Sequence, residues 1–240
     1  MSDIQRNDQY LHNQKVLSYT HGDYQILTFK TGRWNENSYL VIHQPTKNFI
    51  AVDPGGREDE LIKTILTTGG QLKLILLTHA HHDHLGAVQR LGQQYDLPFF
   101  LHEGDKKLLQ RVPLYAMSIE QRKMHVPQNH RFLNGGEIFW DGEPVKYLHI
   151  PGHTQGSVCY FWGGLAFPGD TLLNCRVGRT DLPGANPDIL NDSINKMLYS
   201  LPVETIMFPG HFKSWYVAEA REWWSLQDGC PPQYLTEGVQ

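Results

Sequence analysis

Four short apolar runs in the sequence end in a Pro-Gly pair that stands beside a histidine or an aspartate. Proline ends a strand because it has no N–H to donate to the sheet, and glycine permits the sharp turn that follows. Strands of one core that all end in this way bring their last side chains to a common edge. The four segments are Asp53-Pro54-Gly55, Pro151-Gly152-His153, Pro168-Gly169-Asp170 and Pro209-Gly210-His211. The pattern therefore predicts one shared site at one edge of the fold.

Apolar runs of strand length alternate with segments of helical periodicity, which predicts an α/β layered domain. The predicted strands, which are short and apolar, cover residues 49–53, 72–77, 98–102, 145–150, 157–162, 165–167 and 204–208. The predicted helices cover residues 58–68, 83–95, 186–199 and 216–226. Because the strands and helices alternate along the whole chain, they are expected to share one core.

The length of 240 residues fits one sizeable domain, and no shift of composition marks a linker. We expect this domain over residues 21–230, with a polar extension over 1–20 and a tail over 231–240. The mixed polar segment 103–134, which contains prolines as helix breakers, is expected to be an insertion or a lid.

Composition excludes several classes of function. The net charge is −4 and the pI is near 6.3, so there is no basic footprint for nucleic acid or an anionic membrane. No apolar run approaches the roughly 20 residues of a membrane helix, and the first residues lack the apolar core of a signal peptide. The three cysteines form no CxxC pair, which favours a reducing, cytoplasmic location. The oligomeric state is left open.

The densest group of metal-binding side chains is the segment Thr78–His84, with the sequence THAHHDH, directly after a predicted strand. In extended backbone, His79 and His81 point to the same side. Asp83 and His84 would project from the first turn of the next helix toward a second position, whereas His82 is expected to point elsewhere. Imidazole and carboxylate ligands without thiolate suit catalytic zinc, iron, manganese or cobalt. A solvent-exposed histidine loop is the alternative, but it does not explain the matching residues at the other strand ends.

These motifs together resemble the metallo-β-lactamase-fold superfamily over about residues 22–215. The resemblance implies a four-layer αββα sandwich, with the site at one edge of two packed sheets. The implied ligands are His79, His81 and His153 for a first metal, Asp83, His84 and His211 for a second, and Asp170 between the two. Asp53 matches a position that supports the site from behind the ligands. Two divalent ions are implied, with zinc favoured and iron or manganese as alternatives.

The resemblance also implies the reaction. A hydroxide that bridges the two metals would be the nucleophile, with Asp83 and Asp170 as the catalytic carboxylates. Asp170 at the bridging position resembles glyoxalase II and lactonases, whereas true β-lactamases carry cysteine there. The segment 178–181, GRTD, is similar to short glyoxalase II-like hydrolases and also to persulfide dioxygenases. The expected activity is hydrolysis of a small or carrier-linked acyl thioester.

Two departures from glyoxalase II concern the substrate pocket. Only 29 residues follow His211, too few for the helical C-terminal domain of that enzyme, and Phe212-Lys213 stand where an acidic residue and tyrosine are usual. Lys213 and Arg176 are therefore candidate substrate contacts, and Met117 could line the pocket. Arg179 is a further candidate, although an ion pair with Asp181 would explain it equally well.

Three other functions stay open at this point. A mononuclear iron persulfide dioxygenase would use residues that match His79, His153 and Asp170. A lactonase is possible as well. The third alternative is a metal-binding scaffold without catalytic activity. It is disfavoured because such proteins usually lose ligands and none is missing here.

Overall fold

The computed structural model describes residues 5–11, 14–133, 135 and 138–227. Its first sheet has eight strands in the order of the sequence. These are β1 (Gln5–Leu11), β2 (Gln14–His21), β3 (Tyr24–Thr31), β4 (Glu36–His43), β5 (Asn48–Val52), β6 (Leu72–Leu76), β7 (Phe99–His102) and β8 (His130–Leu133). The pairs are antiparallel from β1 to β5 and parallel from β5 to β8.

The second sheet has six strands, and β12 and β15 are its parallel pair. In spatial order they are β16 (Trp215–Tyr216), β15 (Ile206–Pro209), β12 (Leu165–Gly169), β11 (Val158–Trp162), β10 (Glu143–His149) and β9 (Ile138–Trp140). A two-stranded ribbon, β13 (Leu172–Leu173) and β14 (Arg176–Val177), follows β12 in the chain.

Six α-helices complete the described fold. They are α1 (Glu58–Thr67), α2 (Val88–Tyr95), α3 (Lys106–Gln110), α4 (Val112–Glu120), α5 (Pro187–Ser200) and α6 (Val217–Ser225). Short 3-10 turns cover His82–His84 and Glu103–Asp105. No helix among the described residues has both the length and the apolar character needed to cross a bilayer.

The two sheets pack face to face through aromatic side chains. Tyr39 on β4 meets Phe167 on β12 at 5.4 Å between ring centroids, and Phe167 stacks on Phe208 of β15, also at 5.4 Å. Burial of each such side chain contributes about 1.5–3 kcal/mol. The inter-sheet layer is therefore a continuous apolar core that holds the strand ends in register.

Helices cover the outer face of each sheet. Leu61 of α1 and Leu91 of α2 are buried against the first sheet, and Leu190 of α5 and Trp224 of α6 against the second. The helix–sheet–sheet–helix order confirms the expected four-layer αββα sandwich.

The predicted helix over 83–95 is wrong in its first half. The chain makes a 3-10 turn at His82–His84, and α2 begins only at Val88. A tertiary contact overrides helical propensity here, because the Ala87 amide donates to the Pro54 carbonyl at 2.8 Å. A Cβ on Gly86 would lie 2.0 Å from the Gly55 carbonyl oxygen, so only glycine permits this approach.

The ends of the chain differ from the expected domain plan. Residues 5–11 and 14–20, predicted as part of a polar extension, form β1 and all of β2 except its last residue, His21, in the first sheet. The segment 103–134 contributes α3 and α4, and its last part is β8, which pairs with β7. The predicted tail over 231–240 lies outside the described residues.

Candidate metal centre

Loops at one edge of the sandwich bring the seven predicted ligands together. The loop after β6 carries His79, His81, Asp83 and His84, while His153, Asp170 and His211 follow β10, β12 and β15. A cleft of about 340 Å³ opens over them, and five of the seven line it directly. The residues of the strand-end pattern thus lie together at one edge of the sandwich, and metal binding by them stays a prediction.

His79, His81 and His153 form what we call the first cluster, in which one ligand atom of each lies within 4.8 Å of the others. The Nε2 of His153 is 3.0 Å from the Nδ1 of His81. Burial and the nearby imidazoles lower the pKa of His79 well below its usual value, and burial and His153 lower that of His81 to about 3. These two imidazoles are therefore neutral at physiological pH.

Asp83, His84 and His211 form the second cluster, again with ligand atoms within 4.8 Å of one another. Burial disfavours charge on His84, but Asp83 and Asp170 outweigh it and raise its pKa to about 9. For His211 burial is likewise outweighed by Asp170 and Asp83, and the pKa rises to about 11. Burial also opposes ionisation of Asp83, yet His84 holds its pKa well below the usual range. The second cluster is an interlocked set of charges.

Asp170 lies between the two clusters. Its carboxylate oxygens are 3.8 Å from His153 Nε2, 3.7 Å from His84 Nε2 and 3.4 Å from His211 Nε2. Burial would raise the pKa of Asp170, but His211 and His84 hold it well below the usual range. An ionised carboxylate in this position can contact two cations at once.

The unpaired polar atoms of the site are suited to bind metal ions. The buried atoms His79 Nε2, His84 Nε2 and Asp170 Oδ1 have no hydrogen-bond partner among the described residues. A buried polar atom without a partner costs about 1–3 kcal/mol. Nitrogen and oxygen donors in two groups of three, with a shared carboxylate, suit a pair of divalent ions.

Asp53 supports the site from behind. Its Oδ1 accepts the Thr78 amide at 2.7 Å, and its Oδ2 accepts from the Thr78 hydroxyl at 2.6 Å and lies 3.2 Å from His84 Nδ1. Asp53 also lies close enough to His79 and His84 to ligate an ion with them, but its oxygens are already in use. In the neutral form of His84 this contact places the remaining proton on Nδ1, so Nε2 is the atom that can ligate a cation once its own proton is lost.

Asp105 is a further buried residue beside the two clusters, and the sequence motifs gave no prediction for it. It is 1% exposed, and its Oδ2 accepts from the Ala80 amide at 2.8 Å and the Thr154 hydroxyl at 2.9 Å. Its Oδ1 accepts from the Gly156 amide at 2.7 Å. Asp105 thereby joins the loop of His79 and His81 to the loop of His153. Its signal in the sequence was weak, because Gly104-Asp105 follows a strand end without a Pro-Gly pair.

His82 is not a ligand but connects the site to α4. It is buried, with its Nε2 at 3.3 Å from Glu120 Oε1, and Arg122 Nε lies 3.1 Å from the other oxygen of Glu120. The expectation that His82 points away from the ligands agrees with this geometry. The contact of His82 with Glu120, and of Glu120 with Arg122, was not predicted, because these two residues lie 38 and 40 positions after His82 in the chain.

The predicted substrate contacts divide into two groups. Arg176 and Arg179 line the cleft; Arg176 lies 5.0 Å from the Phe212 ring, and Arg179 makes two 2.7 Å bonds to Asp181. Lys213 is exposed and does not line the cleft. The chain makes a left-handed turn at Phe212, with φ of 66°, and the Phe212 side chain lines the cleft in place of Lys213. Met117 is exposed on α4 and also lies outside the lining.

Comparison with known proteins identifies the family. Residues 31–211 match the model of the metallo-beta-lactamase superfamily, and the chain belongs to this superfamily. It is similar to the hydroxyacylglutathione hydrolase GloC of Haemophilus influenzae, with 35% identity over 176 residues that cover 71% of this chain and 83% of that protein.

Two solved structures share the fold over most of both chains. The protein TTHA1623, solved in a di-iron-bound form, is 37% identical with a TM-score of 0.71, over 80% of this chain and 95% of that one. The BLEG-1 B3 metallo-beta-lactamase is 28% identical with a TM-score of 0.75, over 81% and 95%. The similarity therefore extends to a metal-bound relative.

Proposed function

We propose that this member of the superfamily hydrolyses acyl thioesters, as a glyoxalase II-like enzyme. The observation that carries the proposal is the pair of ligand clusters with Asp170 between them, open to a cleft that contains Arg176 and Arg179. The similarity to a hydroxyacylglutathione hydrolase over most of both chains supports the same choice.

The first cluster would hold one cation, the second cluster the other, and Asp170 would contact both. When bound, two such ions supply Lewis-acid chemistry, which polarises a carbonyl and lowers the pKa of water. We propose zinc as the metal, with iron or manganese as alternatives, since these ligands suit all three. The three cysteines form no CxxC pair, which supports our proposal of a reducing compartment such as the cytoplasm.

The protein's own carboxylates orient the attacking water. Asp83 and Asp170 have pKa values held well below the usual range by the neighbouring histidines, despite burial, so both are ionised at neutral pH. They are weak bases and act by accepting hydrogen bonds from the water rather than by holding its proton. The leaving thiol has a pKa near 8.5, so it departs as a thiolate without an acid to protonate it.

Second contacts fix the imidazoles. His153 Nδ1 lies 2.9 Å from the Arg179 carbonyl oxygen, to which it donates, so its Nε2 faces the site as an acceptor. Asp53 does the same for His84 through Nδ1. Contacts of this kind hold both ring and tautomer, and their loss costs about 10- to 100-fold in metal affinity or activity.

The test is metal analysis of protein purified without added metal, beside the rate of S-lactoylglutathione hydrolysis. We expect close to two ions per chain and thioester turnover that is lost in His84→Ala. The exposed Lys63→Ala on α1 is the control and should keep full activity. A fully loaded protein without thioester turnover would refute the proposal.

The alternatives give other signatures in the same experiment. One iron per chain with oxygen consumption on glutathione persulfide would indicate a dioxygenase. Turnover confined to an acyl-lactone or a β-lactam would indicate those hydrolases, and inactivity on every substrate would indicate a scaffold.

A further inference from the structure

A second cavity of about 270 Å³ opens beside the catalytic cleft. We call it the side pocket; its lining includes Gly104, Lys107, Leu108, Arg111, Tyr115 and Gln155. It shares Leu108, Tyr115 and Pro183 with the cleft, so these three side chains form the wall between the two spaces. None of the seven candidate ligands lines the side pocket. A single molecule that extends past this wall would occupy both the cleft and the side pocket. Only its part in the cleft would lie beside the candidate metal ligands.

The side pocket carries two exposed positive charges, on Lys107 and Arg111, and one buried carboxylate, Asp105. Lys107 on α3 and Arg111 directly after α3 are four residues apart, so they project from one face of the helix. Both are exposed, and neither has an ion-pair partner among the described residues. The acidic residue in the lining, Asp105, is bonded through both oxygens to Ala80, Thr154 and Gly156. The two exposed cations therefore outnumber the one buried carboxylate in the lining, and an anion would meet an excess of positive charge here although the whole chain is acidic.

The cleft itself offers less to an anion. Arg179 is already paired with Asp181 by two 2.7 Å bonds. Arg176 lies over the Phe212 ring, and the cleft also contains Trp34 and Val177. The part of the cleft around Trp34, Val177 and Phe212 suits the acyl part of a substrate, while the rest of the lining includes the candidate metal ligands.

We propose that the side pocket binds the anionic carrier arm of the thioester, with Lys107 and Arg111 as its specificity-determining contacts. This inference rests on the proposed thioesterase function. The thioester carbonyl must lie beside Asp170 for hydrolysis, and the carrier must then leave the cleft. The wall of Leu108 and Tyr115 offers an apolar path for the neutral stem, and the cations beyond it receive the charged end. Carboxylates of a glutathione-like carrier and phosphates of a nucleotide carrier share this chemistry.

The experiment compares charged and neutral carriers with the same acyl group. Wild type and the double variant Lys107→Ala/Arg111→Ala are assayed with S-lactoylglutathione, lactoyl-coenzyme A and neutral S-lactoyl-N-acetylcysteamine. The matched control is Lys63→Ala/Arg90→Ala, which removes one lysine and one arginine that are exposed on α1 and α2.

We expect the double variant to raise KM about tenfold for the preferred charged carrier, with kcat nearly unchanged. The neutral thioester should show no change in either variant. The carrier with the larger loss identifies the natural anion as carboxylate or phosphate. Added salt should weaken the wild-type preference for the charged carrier and leave the double variant unaffected. Titration calorimetry with the free carrier thiol should show the same loss of affinity independently of turnover.

The outcomes distinguish a failure of the proposed carrier site from a failure of the proposed thioesterase function. If wild type hydrolyses thioesters but the double variant matches it on every substrate, the side pocket is not the carrier site and the thioesterase stands. Equal losses on charged and neutral carriers would likewise refute the inference, because they indicate a disturbed cleft. If the loaded wild type hydrolyses no thioester, including the neutral one, the proposed function fails and this inference fails with it.

Discussion

The two ligand clusters lie side by side but differ in charge. The first cluster consists of imidazoles, and burial with neighbouring histidines keeps the pKa of His79 and His81 well below the usual value. The second cluster includes a carboxylate, and despite burial Asp83 and Asp170 raise the pKa of His84 to about 9 and that of His211 to about 11. The difference arises from two carboxylates, Asp83 within the second cluster and Asp170, which is 3.4 Å from His211 and 3.7 Å from His84.

The contrast has a consequence for metal loading. A cation that enters the first cluster meets neutral His79 and His81 and displaces no proton from either. A cation that enters the second cluster must replace the protons of His84 and His211, because a protonated imidazole has no lone pair to give. We therefore expect the first cluster to fill first at neutral pH, and the second to follow as protons are released.

The largest effect is expected from Asp170→Asn, which removes the charge that both clusters share. Both metal affinities should fall, and kcat/KM should drop by more than about a hundredfold, since even contacts behind the ligands cost up to that much. Elemental analysis and steady-state kinetics on S-lactoylglutathione measure the two losses.

Asp181→Asn is the matched control, because this aspartate is exposed and pairs with Arg179. It should retain both metals. Retention of both metals by Asp170→Asn as well would mean that the two clusters are independent of the carboxylate between them.

The second effect in size is a pH dependence that separates the clusters. From pH 7 to 9, the affinity of the second cluster should rise about tenfold per pH unit for each proton released, since its histidines are raised to about 9 and 11. The affinity rises with pH because the pKa of each histidine is raised. Below that pKa a proton competes with the metal for the ring nitrogen, and above it this competition ends. His81, lowered to about 3, adds no slope in this range.

Competitive chelator titrations at several pH values measure both affinities. Calorimetry in buffers of different ionisation heat counts the protons released. Equal slopes for the two ions would contradict the difference in charge between the clusters.

The third effect is expected from Asp105→Asn, which targets the first cluster alone. Asparagine keeps one acceptor oxygen but replaces the other with an NH2 group, which donates hydrogen bonds and accepts none. We expect the first-site affinity to fall roughly tenfold, within the range for contacts behind ligands, with the second site less affected. Metal titration monitored separately for the two ions measures this. A larger loss at the second site would show that Asp105 does not act through the loops of His79, His81 and His153.

The local sequence indicated the candidate ligands but not the residues that contact them from behind. His153, Asp170 and His211 could be named as candidates because each follows an apolar run with a Pro-Gly pair, a signal that lies within a few residues. The structure brings them together, and metal binding by them stays a prediction. Asp105 and Glu120 were missed because their partners, Ala80 and His82, are brought near only by the packing of α3 and α4 on the ligand loop. Contacts between distant segments leave no periodic trace in the sequence.

The same limit applies to the elements. The α/β layered class follows from the alternation of strands and helices in the sequence, whereas the αββα order was implied by the resemblance to the metallo-β-lactamase-fold superfamily. The early start predicted for α2 failed because the hydrogen bond from Ala87 to Pro54 joins two loops 33 residues apart. A propensity argument cannot include such a contact, since tertiary packing routinely overrides local preference.

The smallest effect is expected at the edge of the second cluster. Lys213, predicted from the sequence as a substrate contact, is exposed and lies outside the cleft lining, so Lys213→Ala should change kcat/KM by less than about twofold. Arg176→Ala removes a side chain that lines the cleft over Phe212 and should cost several-fold more. Steady-state kinetics of the two variants on one thioester give the comparison. A larger loss from Lys213→Ala would mean that Lys213 contacts the substrate, which would contradict its position outside the cleft lining.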